Sequence, residues 1–248
     1  MKAIILAAGY ATRLYPLTKD TPKALLPVAG RTILDRLLDG MRAIPEMDHI
    51  HLVTNHRFAP AFEKWRQAAQ THCPITVHDD GTISNEDRLG AVGDIAFVLE
   101  RARIDDDLFV AASDNLFTFP LSDFAADFRR HGRDLLLGTR IDDVDTLRRY
   151  AVATLDGENR VLSLVEKPQE PQSHIGICAI YLYRRDTVPL FPAMISEYRA
   201  AGKRPDAPGY FAEWLCKRKE VRVYLAGGEC VDIGTVESYR EVCGRWTN

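Results

Sequence analysis

Through the first half of the chain, short runs of Val, Ile and Leu that are apolar on both faces alternate with longer stretches whose apolar residues recur at helical spacing. The runs predict strands over Lys2–Leu6, Ile50–Thr54, Ile75–Val77 and Leu108–Ala112, and the amphipathic stretches predict helices over Thr32–Arg42, Pro60–Gln70 and Leu89–Arg103. Strands without a polar face, separated by helices, bury both faces in a parallel sheet covered on each side. The predicted fold is therefore α/β, a Rossmann-like, doubly wound, mostly parallel sheet.

The pattern changes after Asp134. Leu135–Thr139, Tyr150–Leu155, Val161–Val165 and Gly176–Tyr183 predict strands with little helix between them, and Asp156-Gly157-Glu158-Asn159 is a hairpin turn candidate. Helical spacing returns at Thr187–Ala200 and Phe211–Lys219, followed by a strand at Val221–Leu225 and a terminal helix from about Val236. The expectation is one domain over 1–248, with one half at about 1–133 and a β-rich half at about 134–248. The chain ends soon after the terminal helix without hexapeptide repeats, so no C-terminal β-helix is expected.

Composition narrows the function classes. With 46% hydrophobic and 27% charged residues in 248, the chain can bury a substantial core. A net charge of −3 leaves no electrostatic footprint for nucleic acid or a membrane surface, so any anion has to be held by a local cluster of charge, which favours a small phosphorylated ligand over a polymer. Five scattered cysteines without CxxC or Cys/His spacing fit reduced thiols in a cytoplasmic compartment, and the N-terminal apolar run is too short for a signal peptide or a membrane span.

The densest chemistry follows the first strand. Leu6-Ala7-Ala8-Gly9-Tyr10-Ala11-Thr12-Arg13 is a loop of small residues that delivers an arginine, and Pro22-Lys23 follows closely. Small residues let backbone N–H groups approach a polyanion, while Arg13 and Lys23 supply positive charge, the requirements of a triphosphate site. The loop has neither GxGxxG nor a Walker sequence, and Gly9 as a simple turn with Arg13 in solvent is the structural alternative. The whole string, LAAGYATRLYPLT with PKALLP, resembles the signature LAAGxGTRLxPLTxxxPKxLLP of the sugar-1-phosphate nucleotidylyltransferases, nearest to the glucose-1-phosphate thymidylyltransferase-like branch. Ala11 replaces the second glycine, and its methyl group is expected to require a backbone with negative φ.

Later segments extend the resemblance. Asp114, in Ala112-Ser113-Asp114-Asn115, emerges at the C-terminal edge of an apolar strand, where open α/β sheets bind ligands, although Asp-Asn is also a common turn pair. The segment is similar to the family's GDN or GDH element, whose aspartate binds the catalytic metal. Asp232, in Val231-Asp232-Ile233-Gly234-Thr235, precedes a helix start with Thr235 and Ser238 as caps, and resembles the WxDIGTxExY element that brings a second metal-binding aspartate. Two carboxylates suit Mg²⁺, which takes one or two from protein and completes its shell with water and phosphate.

Glu166-Lys167-Pro168 could be a solvated strand exit, yet with Tyr150-Ala151-Val152 upstream it resembles the family's acceptor-binding half, with Ala151 at a glycine position. The resemblance implies that Glu166 accepts hydrogen bonds from sugar hydroxyls and that Lys167 pairs with the acceptor phosphate. Asp79 to Gly93 is a polar loop leading to a capped helix start, similar to the segment that recognises the base near Leu89 and Gly90.

The implied reaction is attack of a sugar-1-phosphate on the α-phosphorus of a nucleoside triphosphate, with catalytic Arg13, Lys23 and Asp114, a nucleotide site at Leu6, Ala8, Gly9, Thr12, Arg13, Leu89 and Gly90, an acceptor site at Ala151, Glu166 and Lys167, and Mg²⁺ on Asp114 and Asp232. Homo-oligomers are common in the family. Two alternatives remain: cytidylyl, uridylyl or guanylyl transfer to a heptose, alditol or phosphocholine acceptor, and a regulatory module that binds nucleotide sugars without catalysis.

Overall fold

The computed structural model describes residues 1–246. Its first half is built from β1 (Lys2–Leu6), the short antiparallel pair β2 (Pro27–Val28) and β3 (Arg31–Thr32), α1 (Ile33–Arg42), β4 (His49–Thr54), α2 (Ala59–Ala68), β5 (Ile75–Asp79), α3 (Ala91–Ala102), β6 (Leu108–Ala112), β7 (Asn115–Phe117) and α4 (Leu121–His131). The second half carries β8 (Asp134–Arg140), α5 (Val144–Leu147), β9 (Ala151–Leu155), β10 (Val161–Glu166), β11 (Ile175–Tyr183), α6 (Leu190–Ala200), α7 (Gly209–Cys216), β12 (Val221–Leu225), β13 (Cys230–Asp232) and α8 (Val236–Arg245).

Strands β5, β4, β1 and β6 lie side by side in parallel, and β11 continues the sheet antiparallel to β6. Beyond Ile177 the register of β11 shifts, with Ala179 at φ 51°, so that one strand pairs with β6, β8 and β9 in turn. That bulge re-aims the strand and lets the β-rich half join the same nine-stranded sheet. Side-chain alternation in β1 divides the core. Ala3 and Ile5 pack toward Leu37, Met41, Phe62, Phe124 and Phe128 of α1, α2 and α4, while Ile4 packs toward Val92, Ile95, Phe191 and Phe211 of α3, α6 and α7. A third apolar cluster, including Leu14, Leu26, Ile33, Leu116, Ile233 and Val242, fastens the loop after β1 to β7 and α8.

Two local expectations change, and one segment without an expectation gains structure. Ala11 has φ 48° and ψ 42°, left-handed despite its methyl group. Buried Thr18 donates to the Ala11 carbonyl at 2.8 Å, and Leu14 is anchored in the third cluster, so the surrounding packing holds a conformation that costs an L-residue roughly 1–2 kcal/mol. The helix expected from Leu89 begins at Ala91 and has no side-chain cap, because Gly90 at φ 79° turns the chain into it. Between Ala112 and Asp134, a segment without a clear sequence pattern contributes β7 and α4. By contrast, Thr235 and Ser238 form the expected reciprocal cap of α8. No helix among the described residues is long and apolar enough to cross a membrane.

Candidate active site

The site lies where β1, β6 and the small ribbon β7–β13 end, at the carboxyl edge of the parallel strands. Ser113 N–H donates to the Leu6 carbonyl at 3.1 Å, which joins the β1 and β6 exits, and the Asn55 side chain donates to the Ala8 carbonyl at 2.9 Å. These bonds fix the loop backbone while leaving Gly9 with open space in front of it, since a Cβ there would meet nothing within 4 Å.

Antiparallel pairing of β13 with β7 places Asp232 opposite Asn115, so the two aspartates, far apart in sequence, become neighbours. Lys23 binds both. Its ammonium lies 2.7 Å from Asp114 Oδ2 and 3.5 Å from Asp232 Oδ1, with 12% of the side chain exposed. Burial opposes the charged Lys23, but the two carboxylates outweigh it and hold its pKa above the ordinary lysine value. Burial, with Asp114 beside it, pushes the Asp232 carboxyl upward, partly offset by Lys23 and Arg13. The acidic pair thus carries more negative charge than one lysine neutralises comfortably. Arg13 is exposed and forms no hydrogen bond or ion pair among the described residues, and its guanidinium reaches toward Gly234.

Two cavities meet at this cluster. The smaller, about 240 Å³, is lined by Leu6, Gly9, Ala11, Arg13, Lys23 and Asp114. The larger, about 540 Å³, is lined by Tyr150, Ala151, Glu166, Lys167, Gly209 and Asp232, and shares Leu6, Arg13, Ala112, Asp114 and Gly234 with the smaller. Ala8, Thr12, Leu89 and Gly90 line neither cavity, although Ala91 does. A separate cavity of about 590 Å³ beside α1 and β7 is lined by Arg36, Phe117, Phe119, Glu229 and Arg245, and has no such lysine and acid cluster.

The floor of the larger cavity is a buried acid. Glu166 ends β10 with only 5% of its side chain exposed, and Lys167 follows at φ 49° with its ammonium 3.7 Å away. Burial raises the Glu166 pKa, with Lys167 opposing and Glu213 adding to the rise. The first residue of α7 permits this placement, since a Cβ on Gly209 would come within 1.8 Å of Glu166 Oε2. The carboxylate also lies against a helix N-terminus, whose dipole favours negative charge.

Sequence reasoning missed several contributors. Arg148 and Arg149 stand at the cavity wall beside Tyr150, and buried Tyr181 forms part of its floor. Asp206 takes a bidentate pair from Arg88 at 3.0 and 2.9 Å and accepts the Ala91 N–H at 2.7 Å, tying the entry of α3 to the second half. Close approach requires glycine at position 90, where a Cβ would lie 3.1 Å from Asp206 Cα. Trp214 is a core residue, 6% exposed, that donates to Glu197.

An α/β sheet with a small-residue loop, two cations and two converging carboxylates at its carboxyl edge is an arrangement whose chemistry suits phosphorylated ligands. The sequence matches the nucleotidyl transferase family over residues 2–247, and the chain belongs to that family. It is 26% identical over 244 residues to a glucose-1-phosphate thymidylyltransferase of Streptomyces griseus, covering 98% of this chain and 65% of the relative. It is 28% identical over 231 residues to a human mannose-1-phosphate guanylyltransferase regulatory subunit alpha, covering 91% of this chain and 54% of that one. The crystal structure of a UDP-glucose pyrophosphorylase complexed with UDP-glucose shares the fold, with a TM-score of 0.79 at 19% identity over 98% of this chain and 97% of that one. The chain spans 51% to 62% of the length of several curated relatives that it matches.

Proposed function

We propose that the protein is a sugar-1-phosphate nucleotidylyltransferase, acting as a single nucleotidyltransferase unit, and that its nearest activity is thymidylyl transfer to glucose-1-phosphate. The supporting observation is the convergence of Arg13, Lys23, Asp114 and Asp232 at the junction of two cavities, one suited to phosphates and the other to a polar acceptor. Triphosphate in the smaller cavity and sugar-1-phosphate in the larger would bring the attacking oxygen and the α-phosphorus to that junction.

A phosphomonoester with a second pKa of about 6 is mostly dianionic at neutral pH, so it attacks without a general base. The protein's work is orientation and charge stabilisation. Arg13, lacking a partner among the described residues, is free to pair with the triphosphate and the departing pyrophosphate. Lys23 places a fixed cation beside the reacting groups. Glu166 accepts hydrogen bonds from sugar hydroxyls, and Lys167 pairs with the acceptor phosphate. The backbone from Leu6 to Thr12 and the entry of α3 at Leu89 and Gly90 hold the nucleotide.

The donor set fits Mg²⁺, with two adjacent carboxylates and no third acidic, histidine or cysteine ligand grouped with them among the described residues. Asp114 and Asp232 would hold the ion, which when bound supplies Lewis-acid polarisation and screening between two anionic substrates.

The test is a pyrophosphate-release screen of ATP, GTP, CTP, UTP and dTTP against a panel of sugar-1-phosphates, with and without Mg²⁺. One pairing is expected to turn over only with the metal, and Arg13→Ala or Asp114→Ala is expected to lower its kcat by roughly 100-fold or more. Near-normal turnover in either folded variant would remove the proposed roles. The similarity to a regulatory subunit supports a second reading, a module that binds nucleotide sugars without catalysis; nucleotide-sugar binding without pyrophosphate release across the panel would favour it.

A further inference from the structure

Three side-chain polar atoms among the described residues are fully buried without a hydrogen-bond partner, and two of them, Asp80 Oδ2 and Asp94 Oδ1, belong to side chains within hydrogen-bonding reach of each other. Asp80 directly follows β5, whereas Asp94 is in the first turn of α3 and 6% exposed. Between them runs the loop 81–90, whose end is the Leu89-Gly90 segment. The other oxygen of Asp80 is occupied, accepting from the Thr82 N–H and the Thr82 hydroxyl at 2.7 Å each. The Thr82 hydroxyl in turn meets Tyr10 of the loop after β1 at 3.5 Å.

Two ionised carboxylates cannot remain in contact inside a protein when no cation neutralises them. Asp79 and Asp206 add further negative charge around the pair, Arg88 is engaged on Asp206, and Tyr10 reaches it only through Thr82. No lysine or arginine pairs with Asp80 or Asp94 among the described residues. One proton satisfies both orphaned oxygens at once.

We infer that Asp94 is protonated at neutral pH and donates to Asp80, so that a carboxylic acid and a carboxylate clamp the two ends of loop 81–90 and position it for the nucleotide. Burial, followed by the charge of Asp80, raises the Asp94 pKa to about 8, and burial also raises that of Asp80. The clamp itself stands independently of the proposed activity; its value to nucleotide binding rests on that reading. Because the folded pKa of Asp94 exceeds its unfolded value, the folded state holds a proton that the unfolded chain releases near pH 4. The stability this pair contributes is complete below that range and declines as pH rises toward 8.

The experiment compares wild type, Asp94→Asn and Asp94→Ala. Asparagine carries its own donor for Asp80, so Asp94→Asn is expected to keep its melting temperature between pH 5 and pH 9 while the wild type loses several degrees relative to it. Carboxyl ¹³C shifts of aspartate-labelled wild type are expected to show one carboxyl titrating near pH 8, absent from Asp94→Asn. Amide exchange in loop 81–90 at pH 7 is expected to rise about tenfold in Asp94→Ala and to return to the wild-type rate in Asp94→Asn. The KM for whichever of the five triphosphates is turned over is expected to follow the exchange rates, with the acceptor KM unchanged. Parallel stability profiles for wild type and Asp94→Asn, or two carboxyls both ionised at pH 7, would overturn the shared proton whether or not the protein is a transferase. A loosened loop with unaltered triphosphate KM would overturn the positioning role while leaving the proposed reaction intact.

Discussion

The two cavities are built in opposite ways. The smaller is walled mainly by one stretch of chain, Leu6 to Lys23, in which backbone and small side chains leave room and Arg13 stands free in solvent. The larger is assembled from Tyr150 to Ala151, Glu166 to Lys167, the bulged centre of β11 and the start of α7, and its acid is almost wholly buried. A polyanion can be met by backbone N–H groups and mobile charge, and these need little side-chain burial. The hydroxyl-rich sugar of an acceptor requires directed hydrogen bonds, and those need a rigid acceptor atom held by packing. The smaller cavity is consequently mostly local in sequence, whereas the larger depends on long-range contacts.

That contrast is open to direct attack. The largest effect is expected at the junction, where Lys23→Ala removes the cation between Asp114 and Asp232. Its kcat should fall by roughly 100- to 1,000-fold, measured by pyrophosphate release, as for other lost charge-stabilising groups. Gly209→Ala comes next, because its methyl group has to displace the Glu166 carboxylate. Steady-state kinetics should show the acceptor KM raised about tenfold or more with the triphosphate KM unchanged, the scale of one hydrogen bond to a charged group. If both constants rise together, the two sides are less separable than their construction indicates.

Gly90→Ala is expected to act on both sides. It combines a left-handed φ of 79° with a contact against Asp206 at a helix entry whose Ala91 lines the larger cavity, so steady-state kinetics should show the triphosphate and acceptor KM both raised, by a few-fold to about tenfold. The smallest effect is expected from Ala11→Gly. Relief of the left-handed alanine is offset by the larger entropy of an unfolded glycine, leaving a net gain in stability of under about 1 kcal/mol by denaturant titration. A loss of stability would show that the methyl group's packing outweighs its backbone cost.

Much of the frame could be read before any coordinates. β1, β4 and β6 lie within a residue of the apolar runs that predict them, and the cap formed by Thr235 and Ser238 was visible as residue types at the right spacing. The expectation for Ala11 failed because tertiary anchors at Leu14 and Thr18 overrode the local steric preference. Leu89 and Gly90 were selected by resemblance, yet the wall of the cavity begins at Ala91, and what fixes that entry is Asp206, more than a hundred residues away. Asp80 and Asp94 carried no sequence signal, since two aspartates in a polar segment acquire meaning only when burial removes their water.

By itself the sequence determined the strand and helix periods, the small-residue loop and its charged residues, because these depend on side-chain spacing and on residue type within one stretch of chain. The tertiary structure alone decided that Asp114 and Asp232 share Lys23, that Gly209 leaves space for Glu166, and that two aspartates meet behind the loop leading to α3. Those relations depend on β13 pairing with β7 and on α7 and α3 packing across the sheet, and the energies that make them matter, desolvation and charge at a few ångströms, exist only once distant segments have excluded water.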